Sequence, residues 1–400
     1  MEEQKMKKVR LLALVMALAL AIAVFAGCSS DASTEESPTD TSSQQSSEEP
    51  SESTEGGKDF AALAEQVAVS IPSEFQGPTE KAIPQEGIKV GLVPSDAALS
   101  GPVAPLTAFE EAAAEIGWET QMYNGKGAAA DQNQAIMDAI SWGADAVVCA
   151  SVDARSVQQA LQLAQEQDVI VCSVSNGTDS PNEPADLDEG MIDFAFDVGV
   201  NYYDLGVYMA DWIAADSDNS GKLAVYGASE YPSCMMTEEG LMDELATTGL
   251  TYNEEVMYFT GGQVGDALNN EVIGYLQANP DTEYIFLPYD PAAIEVCNAL
   301  TTAGYTDVKV CAILGTEAMQ TLIADDASCA VASAGYDMYY MGWAGCDQLI
   351  RLLNGQDLFE PHGENVPLCI LDASNVGENP SGDWVAPFDY KEQFLALWQE

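Results

Sequence analysis

Basic side chains are scarce in this sequence of 400 residues: 13 Lys+Arg stand against 65 Asp+Glu, for a net charge of −52. A surface of that sign repels phosphates, which excludes nucleic-acid binding, and it disfavours docking on anionic lipid by charge. Histidine is limited to His362, which argues against a Ser-His-Asp triad and against a His-rich metal site. No two cysteines form a CxxC pair. No catalytic residue, metal site or cofactor is expected.

What is present begins with an export signal. Lys5, Lys7, Lys8 and Arg10 precede a continuous apolar run, Leu11 to Ala26. That run is short for a membrane-spanning helix and fits a signal-peptide core. It ends in Phe25-Ala26-Gly27-Cys28, which resembles a bacterial lipobox. The resemblance implies cleavage after residue 27 and a lipid on Cys28, although Phe25 stands where an aliphatic residue is usual. Without residues 1–27 the chain keeps 9 basic and 63 acidic residues, so the acidity belongs to the exported part. Ser29 to Gly57 carries eight acidic residues, no basic one and no large apolar one. It cannot bury enough apolar area to offset its ordering entropy and reads as a disordered tether, residues 28–57, of roughly 30 Å span. Residues 58–85 read as an N-terminal helix and linker, from Phe60, Leu63, Ala64 and Val67. That helix either packs on the first lobe or simply begins the ordered chain.

From Ile88 onward apolar runs of strand length alternate with helical periodicity. Strands are predicted at Ile88–Val93, Glu119–Tyr123, Ala144–Cys149 and Val169–Val174, with helices at Pro102–Ile116 and Ala130–Trp142 between them. A loop with two prolines and five acidic residues runs from Asn176 to Gly190, and a strand is predicted at Met191–Phe196. The alternation then restarts through strands near Lys222–Tyr226, Glu255–Phe259, Tyr284–Leu287 and Val308–Ile313. This predicts an α/β fold of two doubly wound parallel-sheet lobes, with ligand bound beyond the carboxyl ends of the strands.

The order of segments resembles the type I periplasmic solute-binding proteins of the ribose and galactose cluster. Gly143-Ala144-Asp145-Ala146-Val147-Val148 with Ser151-Val152-Asp153, Val198-Gly199-Val200-Asn201-Tyr202, and Asn279-Pro280-Asp281 through Tyr289-Asp290-Pro291 carry the resemblance, as do Gly315-Thr316 and the helix Met341 to Leu353. It spans about 86–371 and implies a three-strand hinge near Phe196–Asn201, Ser333–Gly335 and His362. The first lobe would hold 86–197 plus 334–362, and the second 198–333 plus 363–400. The implied role is a lipid-anchored component of an ABC importer on the outer face of the cytoplasmic membrane, monomeric, working with the importer's membrane permease subunits. Its ligand would be a small neutral molecule, a sugar or sugar-like. Two alternatives stay open: a sensory protein presenting ligand to a receptor, and a binder of a cationic or non-sugar molecule. A carboxylate hydrolase built on Asp96, Asp153 and Asp290 is a further reading, without a motif that pairs acid and base.

The resemblance places ligand contacts at strand carboxyl ends. In the first lobe they are Ser95, Asp96, Ser151, Asp153, Ser175 and Asn176. In the second they are Glu230, Tyr231, Tyr289, Asp290 and Thr316. At the hinge they are Asn201 and Tyr336. Asp153 and Asp290 also fit as helix caps, and Tyr336, Tyr340 and Trp343 as core. Arginines that sugar binders often carry are missing here, and Leu314, Ala334 and Tyr289 replace the family's aspartate, glutamine and asparagine. Arg155 and Arg351 are the sole arginines after the signal, which argues against a carboxylate or phosphate ligand.

Overall fold

Apolar runs too short for helices form two separate sheets. The computed structural model describes residues 58–69, 73–177, 187, 190–377 and 380–399. The export signal, Cys28 and the acidic tether lie outside the described residues. Helix α1 (Phe60–Val69) comes first. The first sheet holds β1 (Lys89–Pro94), β2 (Glu119–Met122), β3 (Ala146–Ala150), β4 (Ile170–Val174) and β5 (Asp197–Val198) in the order β2-β1-β3-β4-β5. All its pairs are parallel. Every residue of β3 is buried, because helices cover both faces of such a sheet. Those helices are α2 (Ser100–Glu115), α3 (Ala129–Trp142) and α4 (Gln158–Glu166).

The second lobe repeats the plan. Helix α5 (Tyr202–Asp216) leads to β6 (Lys222–Gly227), α6 (Pro232–Leu245), β7 (Thr251–Tyr252), β8 (Met257–Tyr258), α7 (Asp266–Ala278) and β9 (Tyr284–Phe286). Then follow α8 (Asp290–Ala303), β10 (Lys309–Leu314), α9 (Glu317–Ile323) and β11 (Ala330–Tyr336). Helix α10 (Met338–Leu353), β12 (Leu368–Asp372) and α11 (Tyr390–Leu397) complete the chain. The sheet order is β12-β11-β10-β9-β6-β7, with β12 antiparallel at the edge. Apart from β12, both sheets share one strand order, in which the second strand lies outside the first. The order reverses beside β1 and beside β6, and such switch points open the crevices that hold ligands.

Three expectations are corrected. The strand predicted at Met191–Phe196 lies at Asp197–Val198, where Asp197 accepts Ser173 Oγ at 2.5 Å. The boundary expected at 333/334 falls inside β11, whose ladder with β12 runs to Tyr336↔Leu368; the chain leaves the sheet at Asp337. The two ends of the chain also exchange lobes. Helix α1 packs on α5 and β12 of the second lobe, with Phe60 and Ala64 buried and Lys58 paired to Glu244. Helix α11, expected in the second lobe, packs on α10, which itself packs on α2 of the first. Trp398 stacks on Trp343 at 5.5 Å and donates to Asp347 at 2.7 Å.

Linking segments follow these docked ends. From Phe75 the chain lies on the first lobe: the Phe75 ring meets Phe394 edge-on at 5.1 Å. Arg351 donates to the Glu80 carbonyl and Trp118 to that of Gln85. Toward the C-terminus, Trp384 N donates to Gly315 O in the second lobe, and Ala386 N to Asp337 at the start of α10. The hinge is tight: a side chain at Gly363 would strike the Gly199 carbonyl.

Candidate functional site

The two sheets point their carboxyl ends at one another across a cavity. It encloses about 620 Å³ of empty space, its open mouth included. From the first lobe, Leu99, Gly101 and Pro102 reach it after β1, Ser151 after β3 and Ser175 after β4. From the second, Tyr231, Ser233, Cys234 and Thr237 follow β6, and Pro288, Tyr289 and Pro291 follow β9. Ile313 and Leu314 end β10, Tyr336 ends β11, and Tyr202 opens α5. Both lobes therefore build the wall, and each does so at its strand ends.

The backbone is strained where it meets this space. Ser151, Ser175 and Leu314 have φ of 55°, 63° and 133°. Side chains other than glycine pay about 1–3 kcal/mol each in such regions. These turns aim the residues that follow the strands into the cleft rather than back along the helices.

The lining holds no Asp, Glu, Lys, Arg or His. Burial pushes the phenols of Tyr202, Tyr231, Tyr289 and Tyr336 up and the Cys234 thiol up to about 12. The wall is thus uncharged at neutral pH. Its rings form two perpendicular pairs, Tyr231 with Tyr289 at 6.1 Å and Tyr202 with Tyr336 at 5.6 Å.

Several wall hydroxyls already have partners in the protein. Ser175 Oγ lies 3.2 Å from Tyr202 Oη. Ser151 Oγ donates to the Ser175 carbonyl at 3.4 Å, and Thr237 Oγ1 to that of Ser233 at 3.0 Å.

Of the sequence-predicted contacts, Ser151, Ser175, Tyr231, Tyr289 and Tyr336 line the cavity; the other eight do not. Ser95 and Asn176 sit beside it, at the ends of β1 and β4, and the buried Ser95 Oγ and Asn176 Oδ1 have no hydrogen-bond partner. The carboxylates are engaged elsewhere. Asp96 accepts Ala98 N at 2.9 Å, and Asp153 binds its neighbour Arg155 through backbone and guanidinium. Glu230 accepts Gly261 N at 2.6 Å. Asn201 caps α5 through Asp204 N, and Thr316 caps α9 through Met319 N. Asp290 is wholly buried in the second lobe, where Thr316 N, Thr316 Oγ1 and Ser333 Oγ donate to it at 2.7, 2.9 and 2.8 Å. The hydrolase reading therefore loses its geometry: Asp96, Asp153 and Asp290 do not meet in the cavity. Among the described residues no group of His, Cys, Asp or Glu is placed to hold a metal ion.

Tyr202, Thr237, Pro288 and Ile313 are wall residues that sequence reasoning missed. Tyr202 carried a signal: it directly follows Asn201 at the crossover. Leu314 and Tyr289 stood in the sequence as departures from the sugar-binding pattern, and both face the cavity, as do Ser233 and Cys234.

A family model described as a periplasmic binding protein domain matches residues 86–357. Solved structures match as well. An ABC sugar transporter subunit from Rhodobacter sphaeroides shares 18% identity over 72% of this chain and 99% of its own, with a TM-score of 0.62. An ABC transporter solute-binding protein from Mycobacterium smegmatis with bound glycerol shares 21% over 75% and 99%, at 0.62. A Caulobacter myo-inositol binding protein bound to myo-inositol shares 20% over 74% and 96%, at 0.61. No curated protein matches the chain. At these identities the structures attest the shared fold, and the family model covers well over half of the sequence. With its two lobes, its strand order and its interlobe cavity, the chain belongs to the periplasmic binding protein family and has the type I fold.

Proposed function

We propose that the protein is the extracytoplasmic solute-binding component of an ABC importer, anchored by a lipid on Cys28 and held off the membrane by the acidic segment 28–57. It captures a small uncharged ligand, a sugar or sugar-like molecule, between its lobes and offers the closed complex to the permease subunits as a monomer. The observation that carries this reading is the cavity itself. Both lobes wall it, it lies at the carboxyl ends of two doubly wound sheets, and no ionisable carboxylate or base lines it. A wall without acid–base groups suits capture and release better than turnover. The described residues contain no helix long and apolar enough to cross a membrane, and the anchor proposed here is covalent.

A ligand that binds only the folded protein stabilises it by about 2.7 kcal/mol at a hundredfold excess over its dissociation constant. Thermal unfolding of the intact protein against sugars, polyols, nucleosides, amino acids and polyamines tests the reading. At least one uncharged compound should raise the midpoint, and Ser175→Trp, which fills the cavity, should abolish that rise. A screen in which no compound shifts the midpoint, or in which Ser175→Trp responds like the parent, contradicts it.

A further inference from the structure

We infer that the cavity selects an uncharged molecule with an apolar ring and few free hydroxyl groups, such as a nucleoside or an aryl glycoside, over a fully hydroxylated sugar or polyol. The inference rests on the solute-binding reading above and specifies its ligand.

Hydrogen-bond supply is the first argument. Each hydroxyl of a ligand brings one donor and two acceptor sites, and burial without partners is costly. A hexopyranose or an inositol brings five or six hydroxyls and needs charged or amide side chains around its rim. The wall has none of these side chains. Some of its polar atoms are committed. Ser175 and Tyr202 share one hydrogen bond, and Ser151 and Thr237 give their protons to the Ser175 and Ser233 carbonyls. The phenols of Tyr231, Tyr289 and Tyr336 and the Ser233 hydroxyl remain on the wall, and Ser95 Oγ and Asn176 Oδ1 stand unpartnered beside it. That inventory consists of single neutral hydroxyls and one amide oxygen, and the wall carries no carboxylate, guanidinium or carboxamide able to take a pair of ligand hydroxyls at once.

Surface chemistry is the second. Leu99, Pro102, Pro288, Ile313 and Leu314 present hydrocarbon from both lobes, and the two perpendicular tyrosine pairs add ring faces and edges in more than one direction. Such a wall gains from a flat apolar ring through burial and aromatic contact. Charge is the third. The nearest buried carboxylates, Asp290 and Asp197, are occupied by Thr316, Ser333 and Ser173. An anion in the cavity would therefore be desolvated without a counter-charge, and Asp96 and Glu230, which act on the Tyr231 phenol, stand outside the wall.

Titration calorimetry of the intact protein distinguishes the possibilities with a fixed set of probes: thymidine, adenosine and phenyl β-galactoside; galactose, ribose, myo-inositol and allitol; spermidine and gluconate. The first set should contain a ligand bound at least tenfold tighter than every member of the second and third. Leu314→Asn adds an amide to the wall and should narrow that preference, with folding of the variant verified by its unfolding midpoint. Tighter binding of a polyol, a free sugar or an ion than of every ring-bearing probe overturns the inference while leaving the solute-binding reading intact. Binding of none of the probes, charged or neutral, removes both.

Discussion

Asp290 opens α8 directly before Pro291, and from sequence it reads equally as a helix cap or a ligand contact. The structure shows a third role, because its carboxylate ties α8 to the turn at Thr316 and to Ser333 on β11. Asp290→Ala leaves the Thr316 amide and two hydroxyls unpaired in the interior and should cost about 1–3 kcal/mol in urea unfolding. Asp290→Asn can keep the Thr316 bonds by turning its amide toward Ser333, and it should cost less. Burial pushes the Asp290 pKa up to about 7, against the pull of its donors; an unfolded aspartate titrates near 4. The folded protein therefore holds this proton more tightly than the unfolded chain does. Its stabilising effect is complete below the unfolded pKa and is lost as pH rises through about 7. Urea midpoints from pH 4 to 8 should thus fall less steeply in Asp290→Asn than in the parent. Parallel curves would contradict this account of the site. The same comparison explains what was legible at this scale. Tyr231 and Tyr289 were found because they follow strands in turns. Asp96, Asp153 and Glu230 were misplaced because a carboxylate's partner, an amide a few or thirty residues away, leaves no pattern in the sequence.

Elements were legible in proportion to their length and burial. Strands β1, β3, β4, β6, β9 and β10 announce themselves as apolar runs, since both faces are covered. Strands β5 and β7 are two residues each and carry no period, whereas β8, equally short, falls inside the run predicted at Glu255–Phe259. Between β7 and β8, the Asn253 side chain takes over the ladder, accepting Val225 N at 2.7 Å and donating to Val225 O at 3.0 Å. Helices α5 and α6 touch through glycine. A Cβ at Gly206 would fall inside the Thr237 carbonyl, and one at Gly240 inside that of Tyr203. Gly274, in α7, is exposed and has nothing within 4 Å of an added Cβ. Gly206→Ala should therefore destabilise by about 1–3 kcal/mol or more through overpacking. Gly274→Ala should stabilise by about 0.5–1 kcal/mol through helix propensity alone. Thermal unfolding of the two variants checks the pair, and equal shifts would mean that the α5–α6 contact is looser than described.

At the scale of the whole molecule, the repeated alternation of strand and helix made two doubly wound lobes readable, and the crossover near Asn201 located one hinge. The exchange of the chain ends was not readable. Phe60 on α1 and Phe394 on α11 have the same apolar character, and only tertiary packing decides that the first covers the second lobe and the second covers the first. These docked ends hold to the two lobes in addition to the hinge. The account stands on lobe motion: a cavity walled by both lobes admits ligand by opening and retains it by closing. Small-angle scattering of the intact protein, without and with a saturating ligand identified by calorimetry, measures it directly. The account predicts a more compact particle with ligand, and no change on adding the same compound to Ser175→Trp. Identical profiles for the free and the ligand-saturated protein would contradict it.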